Sequence, residues 1–547
     1  MLRFIALSGT VSVTENLYIY EYGDQMMIVD CGVGFPDLEM PGVDLVIPDF
    51  SYVVKNRKNL AGIVISHGHE DHIGALPYLL REVETQIWAS PLATEFIKDK
   101  FKDYGVKSFK INTFNPEFQD FEVGPFRLFP FRVTHSVPDT VGFAIDFPGG
   151  RLFHVSDNKM DQNPVDGMPF DIERAKKLAE KEVLFLASDC LGSNKPGHTK
   201  GERHIEGNFF NIVKNTQNAV FLTAISSNIG RFQQMVNVAE KVNRKVVFVG
   251  RSIQKKTEIA YNLGYLQYKR GTVISLKDAE RFRKDRLMYI ISGCFGQEGS
   301  SLYRVAIDEH DRVRVEEGDV MIFSADPAPA YSKESQNFVI DQLTDKGVDV
   351  HYYDLKEEIY TSGHGSQEDI KDLFKIVKPK YFIPIGGEIR YMKSYLDLAV
   401  DFGVEPQNIF RLKPGDNVIF ENGNARLGKR IPTKRVLVHG LGVGDVGEIV
   451  LGDRNVLGTE GFAVAIFKLS KDGKIIDNPE LISRGFVFEK INKDLLAEAS
   501  RRLKKQVEKK KDIKRSVIHG VTIDYLSKFF FQKTGRRPMI LPVVVEV

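Results

Sequence analysis

Disulfide chemistry is the first thing this chain lacks the means for. Its 547 residues contain three cysteines, Cys31, Cys190 and Cys294, which are far apart and show no paired metal spacing. That pattern points to a reducing compartment and to thiols that act as small core residues. An excess of one charge is also lacking. Lys and Arg total 75 against 73 Asp and Glu, a net +2, so any attraction for nucleic acid must come from local basic patches. No apolar run approaches the ~20 residues of a membrane span, and the apolar stretch at residues 2–7 is too short for a secretory signal. A cytoplasmic protein with no membrane partner is expected. Histidine is scarce, at 12 residues. Hydrophobic content of 42% and charged content of 27% describe an ordinary globular chain, and the length exceeds one core, so two or three domains are expected.

Three of the histidines stand together in Ser66-His67-Gly68-His69-Glu70-Asp71-His72. The run follows the apolar Gly62-Ile63-Val64-Ile65, read as a buried strand, and precedes Ile73, Leu76, Leu79 and Leu80 at helical spacing. It therefore sits on a strand-to-helix loop. Imidazoles and a carboxylate are costly to bury unpaired, and they are the usual donors to zinc and similar divalent ions. A solvated histidine-rich loop is the plainer alternative, but the scarcity of histidine and the flanking strand and helix argue against it. Through His67, His69, Asp71 and His72 the chain resembles the metallo-β-lactamase superfamily, a signature silent about substrate. The resemblance implies that Asp30, at the end of a strand in Asp30-Cys31-Gly32, supports the histidine loop from behind.

Further along, residues 16–22 and 25–30 read as a hairpin across Gly23-Asp24. Residues 126–134 and 151–156 read as strands that end at His135 and Asp157. With the histidine loop these become the next expected ligands. His67, His69 and His135 would hold one ion, Asp71 and His72 a second, and Asp157 would bridge them. Two cations a few ångström apart activate water and stabilise charge on both sides of a phosphodiester transition state. From about residue 183 short apolar runs at 183–188, 219–226, 245–249, 287–292 and 320–324 alternate with helix-like segments such as 233–242, which reads as an inserted α/β domain walling the cleft. Thr361-Ser362-Gly363-His364-Gly365-Ser366 then precedes a helix with Ser366 as N-cap, Asp369 three residues on, and an Ile370, Leu373, Phe374, Val377 stripe ended by Pro379. Such a loop is an ordinary cap or an anion site.

Many stretches in one order carry a narrower resemblance. They include residues 43–52, the histidine loop, His135-Ser136-Val137-Pro138-Asp139, Asp157 with Asp161-Gln162, Ser188-Asp189, Ser227-Asn228-Ile229, residues 361–367, residues 440–447 and residues 537–542. Over nearly its whole length the chain resembles the ribonuclease J family, the β-CASP branch of the superfamily. The resemblance implies an α/β protein: a metallo-β-lactamase αββα sandwich (residues 1–205 and 356–435), an inserted β-CASP domain (206–355), a linker (436–455) and a C-terminal α/β assembly domain (456–547). It implies 5′-to-3′ exonuclease and endonuclease activity on single-stranded RNA, in RNA maturation and decay. It implies two Zn²⁺ ions, with Mn²⁺ or Mg²⁺ as alternatives, and a homodimer, a homotetramer or a hetero-oligomer with a paralogue. Tyr360, Thr361, Ser362, Gly363 and His364 would contact phosphates, Asp189 and His364 would occupy β-CASP signature positions, and Asp71, His72 and His364 would be catalytic.

Two positions depart from the family. Where it has Pro-Val-His-Gly-Glu, with the histidine a ligand to the second metal, this chain has Pro384-Ile385-Gly386-Gly387-Glu388. Gly386 cannot coordinate, so weaker occupancy of the second site and reduced or metal-dependent catalysis are expected. Gly230 stands where the family commonly has His. The departure at Gly386 keeps a second class of function open, a catalytically weakened RNA-binding or scaffolding subunit. A small-molecule hydrolase of the superfamily would leave the insert and the C-terminal extension unexplained. Near residues 494–511, Arg501, Arg502, Lys504, Lys505, Lys509, Lys510 and Lys511 read as a solvated helix face, with contact to RNA phosphates as the alternative.

Overall fold

The computed structural model describes residues 1–547 except 38, 118, 326–331, 356, 488–492 and 511–513 and the side chain at 357. Two compact units divide it. One comprises Met1–Phe35 and Val46–Val436, the other Pro36–Leu45 and Leu437–Val547.

Strict alternation along the first strands sets the architecture of the larger unit. Phe4 and Ala6, Tyr18 and Tyr20, and Met27 and Val29 fall on one face of their strands and meet Phe126, Leu128, Phe143, Ile145 and Phe185 from a second sheet. Among the described residues the first sheet has eight strands, in the order Asn424–Leu427, Asn417–Glu421, Leu2–Ser8, Leu17–Tyr22, Gln25–Val29, Leu60–Val64, Gln86–Ala89, Lys110–Thr113. The second has six, in the order Tyr381–Ile385, Val183–Asp189, Gly150–Val155, Val141–Phe147, Phe126–Arg132, Phe121–Val123. The outer face of the second sheet, with Phe131, Phe153 and Phe382, is covered by helices Gln367–Val377 and Ile389–Asp401 through Phe374, Met392 and Tyr395. Helix Pro91–Asp103 buries Leu92, Phe96, Ile97 and Phe101 on the other side of the sandwich. The arrangement is the expected αββα sandwich.

The insert is a five-stranded parallel sheet in the order Lys245–Val249, Leu287–Ile291, Val220–Thr223, Val320–Phe323, Asp349–His351. Its strands are near-continuously apolar, as sheets covered by helices on both faces require. One expectation is corrected. The run at 183–188 is not the first strand of the insert. As Val183–Asp189 it pairs in parallel with Gly150–Val155 and Tyr381–Ile385 in the sandwich. An apolar run of this length carries no mark of which sheet it joins. Because Asp189 pairs with Ile385, the chain leaves and re-enters the sandwich side by side, next to Gly386.

The return helix begins as its sequence suggests. Ser366 and Asp369 form a reciprocal capping box, and the helix ends at Lys378 in the left-handed conformation, just before Pro379.

In the smaller unit the sheet Glu480–Arg484, Phe462–Leu469, Met539–Glu546 packs Ala463, Ala465 and Phe467 against Leu503 and Phe530 of helices Lys493–Glu508 and Arg515–Thr534. Residues 436–455, expected as a linker, carry strands Val436–His439 and Gly442–Val443 and most of helix Glu448–Thr459. In the basic helix, Arg502 pairs with Glu498 at 2.6 Å and Lys504 lies 3.8 Å from Glu508, as a solvated face would; Lys511 lies outside the described residues. No helix among the described residues is long and apolar enough to cross a membrane.

A buried ion triad ties the insert to the sandwich. Glu202 accepts from Lys159 Nζ at 2.8 Å and from Arg231 Nη2 at 2.5 Å, with side-chain exposures of 9%, 1% and 0% for Glu202, Lys159 and Arg231. Lys159 also donates to Ser362 O at 3.0 Å, and Arg231 to Ile359 O at 3.1 Å. The two cations hold the Glu202 carboxyl down to about 2 against the opposing effect of burial. Glu202→Gln strands two buried cations and should cost about 3–5 kcal/mol in chemical denaturation at neutral pH. A carboxyl depressed in the folded state stabilises above its ordinary value near 4.5 and ceases to as pH falls toward about 2. The gap between wild type and variant should therefore narrow across that window.

Candidate metal centre

Strand Leu60–Val64 runs through the first sheet and delivers the histidine loop at its end. The loop is held by its backbone. The carbonyls of Glu70, Asp71 and His72 accept from the amides of Val33 at 3.1 Å, Asn16 at 3.0 Å and Cys31 at 2.7 Å. This contact needs Gly32, since a Cβ there would lie 1.5 Å from Asp71 O. Asp30 is fully buried, stands in the left-handed region at φ 62°, and hydrogen-bonds to the loop. Its Oδ1 accepts Ser66 N–H at 2.8 Å. Its Oδ2 accepts Ser66 Oγ–H at 2.8 Å and Ser156 Oγ–H at 3.2 Å, and lies 2.8 Å from His72 Nδ1.

Three overlapping donor sets result, His67, His69, His135 and Asp157, then Asp71, His72 and Asp157, and lastly Asp157, Asp189 and His364, each with ligand atoms within 4.8 Å of one another. In the first, His69 Nδ1 lies 3.0 Å from His67 Nε2 and 3.1 Å from His135 Nε2. Asp157 Oδ2 lies 3.8 Å from His67 Nε2 and 3.6 Å from His135 Nε2. A tetrahedral cation with bonds of about 2.0–2.2 Å needs ligand separations of about 3.3 Å, so these donors fit one. The remaining nitrogen of each ring is engaged elsewhere. His135 Nδ1–H donates to Gly363 O at 2.8 Å, His67 Nδ1 meets Ser66 Oγ at 2.9 Å, and His69 Nε2 meets Ser136 Oγ at 3.1 Å.

Burial, reinforced by the neighbouring imidazoles, pushes His67 and His69 well below the ordinary histidine range and His135 down to about 4, so all three are neutral donors at pH 7. His72 behaves oppositely: burial lowers it, but Asp157, Asp30 and Asp71 outweigh burial and hold it well above that range. Burial, with Asp157 adding to it and His72 opposing, raises Asp71 to about 6.

The second set is more open. His72 Nε2 lies 3.5 Å from Asp71 Oδ2, 3.5 Å from Asp157 Oδ1 and 3.1 Å from the Asn16 amide nitrogen. Gly386 stands beside it at φ +65°, where a Cβ would sit 3.6 Å from Asp189 Oδ1 and 3.9 Å from Asp157 Oδ1. A side chain at this position would face the site, and glycine supplies none.

Of the residues expected to contact phosphate, Gly363 and His364 reach the cluster, and Ser362 adjoins it through the His364 amide. Gly363 touches His135 so closely that a Cβ would lie 2.7 Å from its Cε1. His364 N–H donates to Ser362 Oγ at 3.1 Å, and His364 Nδ1 meets Asp189 Oδ2 at 2.6 Å while Nε2 lies 3.9 Å from Asp157 Oδ2. Tyr360 differs: its ring is buried against Tyr353, and the adjacent Thr361 donates to Lys200 O at 2.9 Å. Asn16, Lys159 and Glu202 also belong to this region and carry no local sequence signal. Ser66, Ser136 and Ser156 sit beside ligands in the chain, a signal available in the sequence.

The chain matches family models for the metallo-beta-lactamase superfamily (residues 13–160), the ribonuclease J beta-CASP domain (217–343), the Zn-dependent metallo-hydrolase RNA specificity domain (353–409) and the ribonuclease J C-terminal domain (449–547). It is 32% identical to ribonuclease J2 of Bacillus subtilis strain 168, over 100% of this chain and 98% of that protein. The chain belongs to the ribonuclease J family. Other members include ribonuclease J 1 of Streptococcus pyogenes serotype M3, 34% identical over 99% of this chain and 97% of its own, and ribonuclease J 2 of Staphylococcus aureus strain MRSA252, 34% identical over 100% and 98%. A solved protein of unknown function from Enterococcus faecalis V583 shares the fold, with a TM-score of 0.53 at 13% identity over 77% of this chain and 100% of that one.

Asp30 touches no donor set except through His72, Ser66 and Ser156. Asp30→Ala should therefore weaken metal binding about 10–100-fold in a chelator competition titration, as loss of an outer partner does in other metal sites.

Proposed function

We propose that the chain hydrolyses phosphodiester bonds of single-stranded RNA as a metal-dependent ribonuclease, with 5′-to-3′ exonucleolytic and endonucleolytic modes. The observation that carries this reading is the pair of buried donor sets sharing Asp157, set beside the loop of Ser362, Gly363 and His364. His67, His69, His135 and Asp157 hold one Zn²⁺, with Asp71, His72 and Asp157 holding a second, more weakly. Mn²⁺ or Mg²⁺ can substitute where oxygen donors dominate. Bound divalent cations supply Lewis acidity, activation of water near neutral pH and compensation of charge on the phosphate.

The chain's own residues do the rest. Asp71 and His72 orient the nucleophile on one side of the scissile phosphate. Backbone and hydroxyl groups of Ser362 and Gly363 position the neighbouring phosphate, with Tyr360 and Thr361 shaping the loop from behind. Asp189 fixes the His364 ring, turning Nε2 toward Asp157, where it donates a proton to the leaving oxygen. Residues 206–355 form the wall over the cleft and admit a single strand. Residues 456–547 serve assembly into a dimer or tetramer, a role supported by exposed Leu541, Val543 and Val545 on one face of strand Met539–Glu546. Buried free Cys31, Cys190 and Cys294 support a cytoplasmic, reducing location.

Purified chain with Zn²⁺ or Mn²⁺ should degrade 5′-monophosphorylated single-stranded RNA, and Asp71→Ala should lower turnover at least about 100-fold. Equal degradation by both proteins would mark the activity as contamination.

Gly386 favours a second reading, a catalytically weakened member acting as an RNA-binding or scaffolding subunit with a paralogue. Gly386→His should raise the metal content per chain measured by mass spectrometry, even though a left-handed histidine costs about 1–2 kcal/mol. Unchanged metal content would remove this explanation for a weak second site.

A further inference from the structure

The insert reaches both histidine loops through one short stretch of chain. Helix Arg251–Asn262 buries Ile253, Thr257 and Ala260 inside its own domain and turns Lys255 and Lys256 toward helix Pro91–Asp103 of the sandwich. Lys255 meets Asp103 at 2.7 Å and Asp99 at 3.3 Å, but its side chain is 39% exposed, so that contact counts for little. Lys256 is different. Its own side chain is 12% exposed, with Nζ 3.5 Å from Oε1 of Glu70, a carboxylate that is 38% exposed, and 5.4 Å from the centre of the Phe96 ring, so the enclosed ring contact carries more than the ion pair. Glu70 sits between His69 and Asp71 in the chain, and its other oxygen meets Lys100 at 2.6 Å. Phe96 in turn presses on Gly68, where an added Cβ would lie 2.8 Å from Cδ2. One lysine of the insert therefore bears on both sides of His69.

Just after that helix, the Tyr265 hydroxyl donates to Asp139 Oδ2. Asp139 closes the His135 loop. It is 2% exposed, stands at φ 63°, and also accepts Leu92 N–H at 3.4 Å with Arg132 at 3.9 Å. A strained, buried carboxylate persists only where its surroundings over-determine it, and the insert supplies one of those constraints.

We propose that Lys256 and Tyr265 are positioning residues of the inserted domain, holding the His67-to-His72 loop and the His135 loop in the register that ligates metal. Neither touches a donor atom. Lys256 acts through Glu70 and Phe96, Tyr265 through Asp139. The inference rests on the metal-site reading above and extends it: the ligand loops belong to the sandwich, and their alignment depends on the insert.

The test uses the full chain with Lys256→Met, Lys256→Arg and Tyr265→Phe. The measurements are the Zn²⁺ dissociation constant by chelator competition, kcat and KM on bis(p-nitrophenyl) phosphate, a diester too small to span the insert, the dissociation constant for a single-stranded RNA oligonucleotide, and the melting temperature. Lys256→Met and Tyr265→Phe should each weaken Zn²⁺ binding about 10-fold and lower kcat on the small diester with KM unchanged, while Lys256→Arg stays within about twofold of wild type. Zn²⁺ affinity and diester kcat within twofold of wild type in both variants would overturn the proposal. A fall in melting temperature alone would overturn it too, making the contacts mere cement, and so would a fall in RNA binding alone, making them RNA contacts. A wild-type chain that bound no Zn²⁺ would instead overturn the metal-site reading itself.

Discussion

Asp157 lies 3.5–3.9 Å from the Nε2 atoms of His67, His72, His135 and His364. Burial raises this carboxylate, but the His72, His364 and His135 imidazoles around it hold it well below the ordinary range, and the surrounding structure is organised to keep them in place. Burial and the neighbouring imidazoles lower His67, whereas Asp157, Asp30 and Asp71 outweigh burial and raise His72. Imidazole nitrogens and carboxylate oxygens converging in this way form a donor set compatible with divalent cations.

Holding such a cluster requires rigid outer partners, and these come from distant parts of the chain. Asp30 joins the histidine loop to the strand end that carries Asp157, through Ser66 and Ser156. Gly363 O fixes the tautomer of His135 from the segment that returns after the insert. The Lys159–Glu202–Arg231 triad lies at the same junction, so the loop carrying His364 and the entry to the insert share one buried network. Arg231 of the inserted domain and Ser362 beside His364 thus both contact this network.

Gly386 is the counterweight to this completeness. The backbone there is in place, aimed between Asp157 and Asp189, and only the side chain is missing.

Local pattern carried much of this in the sequence alone. The strand-to-loop position of His67, His69, Asp71 and His72, the strand ends at His135 and Asp157, the capping box of Ser366 and Asp369, and the blank at Gly386 all rest on short-range periodicity or on matched motifs, which survive in one dimension. Tertiary structure decided what depends on pairing between distant segments. It placed Val183–Asp189 in the sandwich rather than the insert, turned Tyr360 into the interior, and brought Asn16, Lys159, Glu202, Lys256 and Tyr265 to the ligand loops. A buried lysine or tyrosine has no spacing rule, because its partner is set by the approach of two folded surfaces and not by its neighbours in the chain.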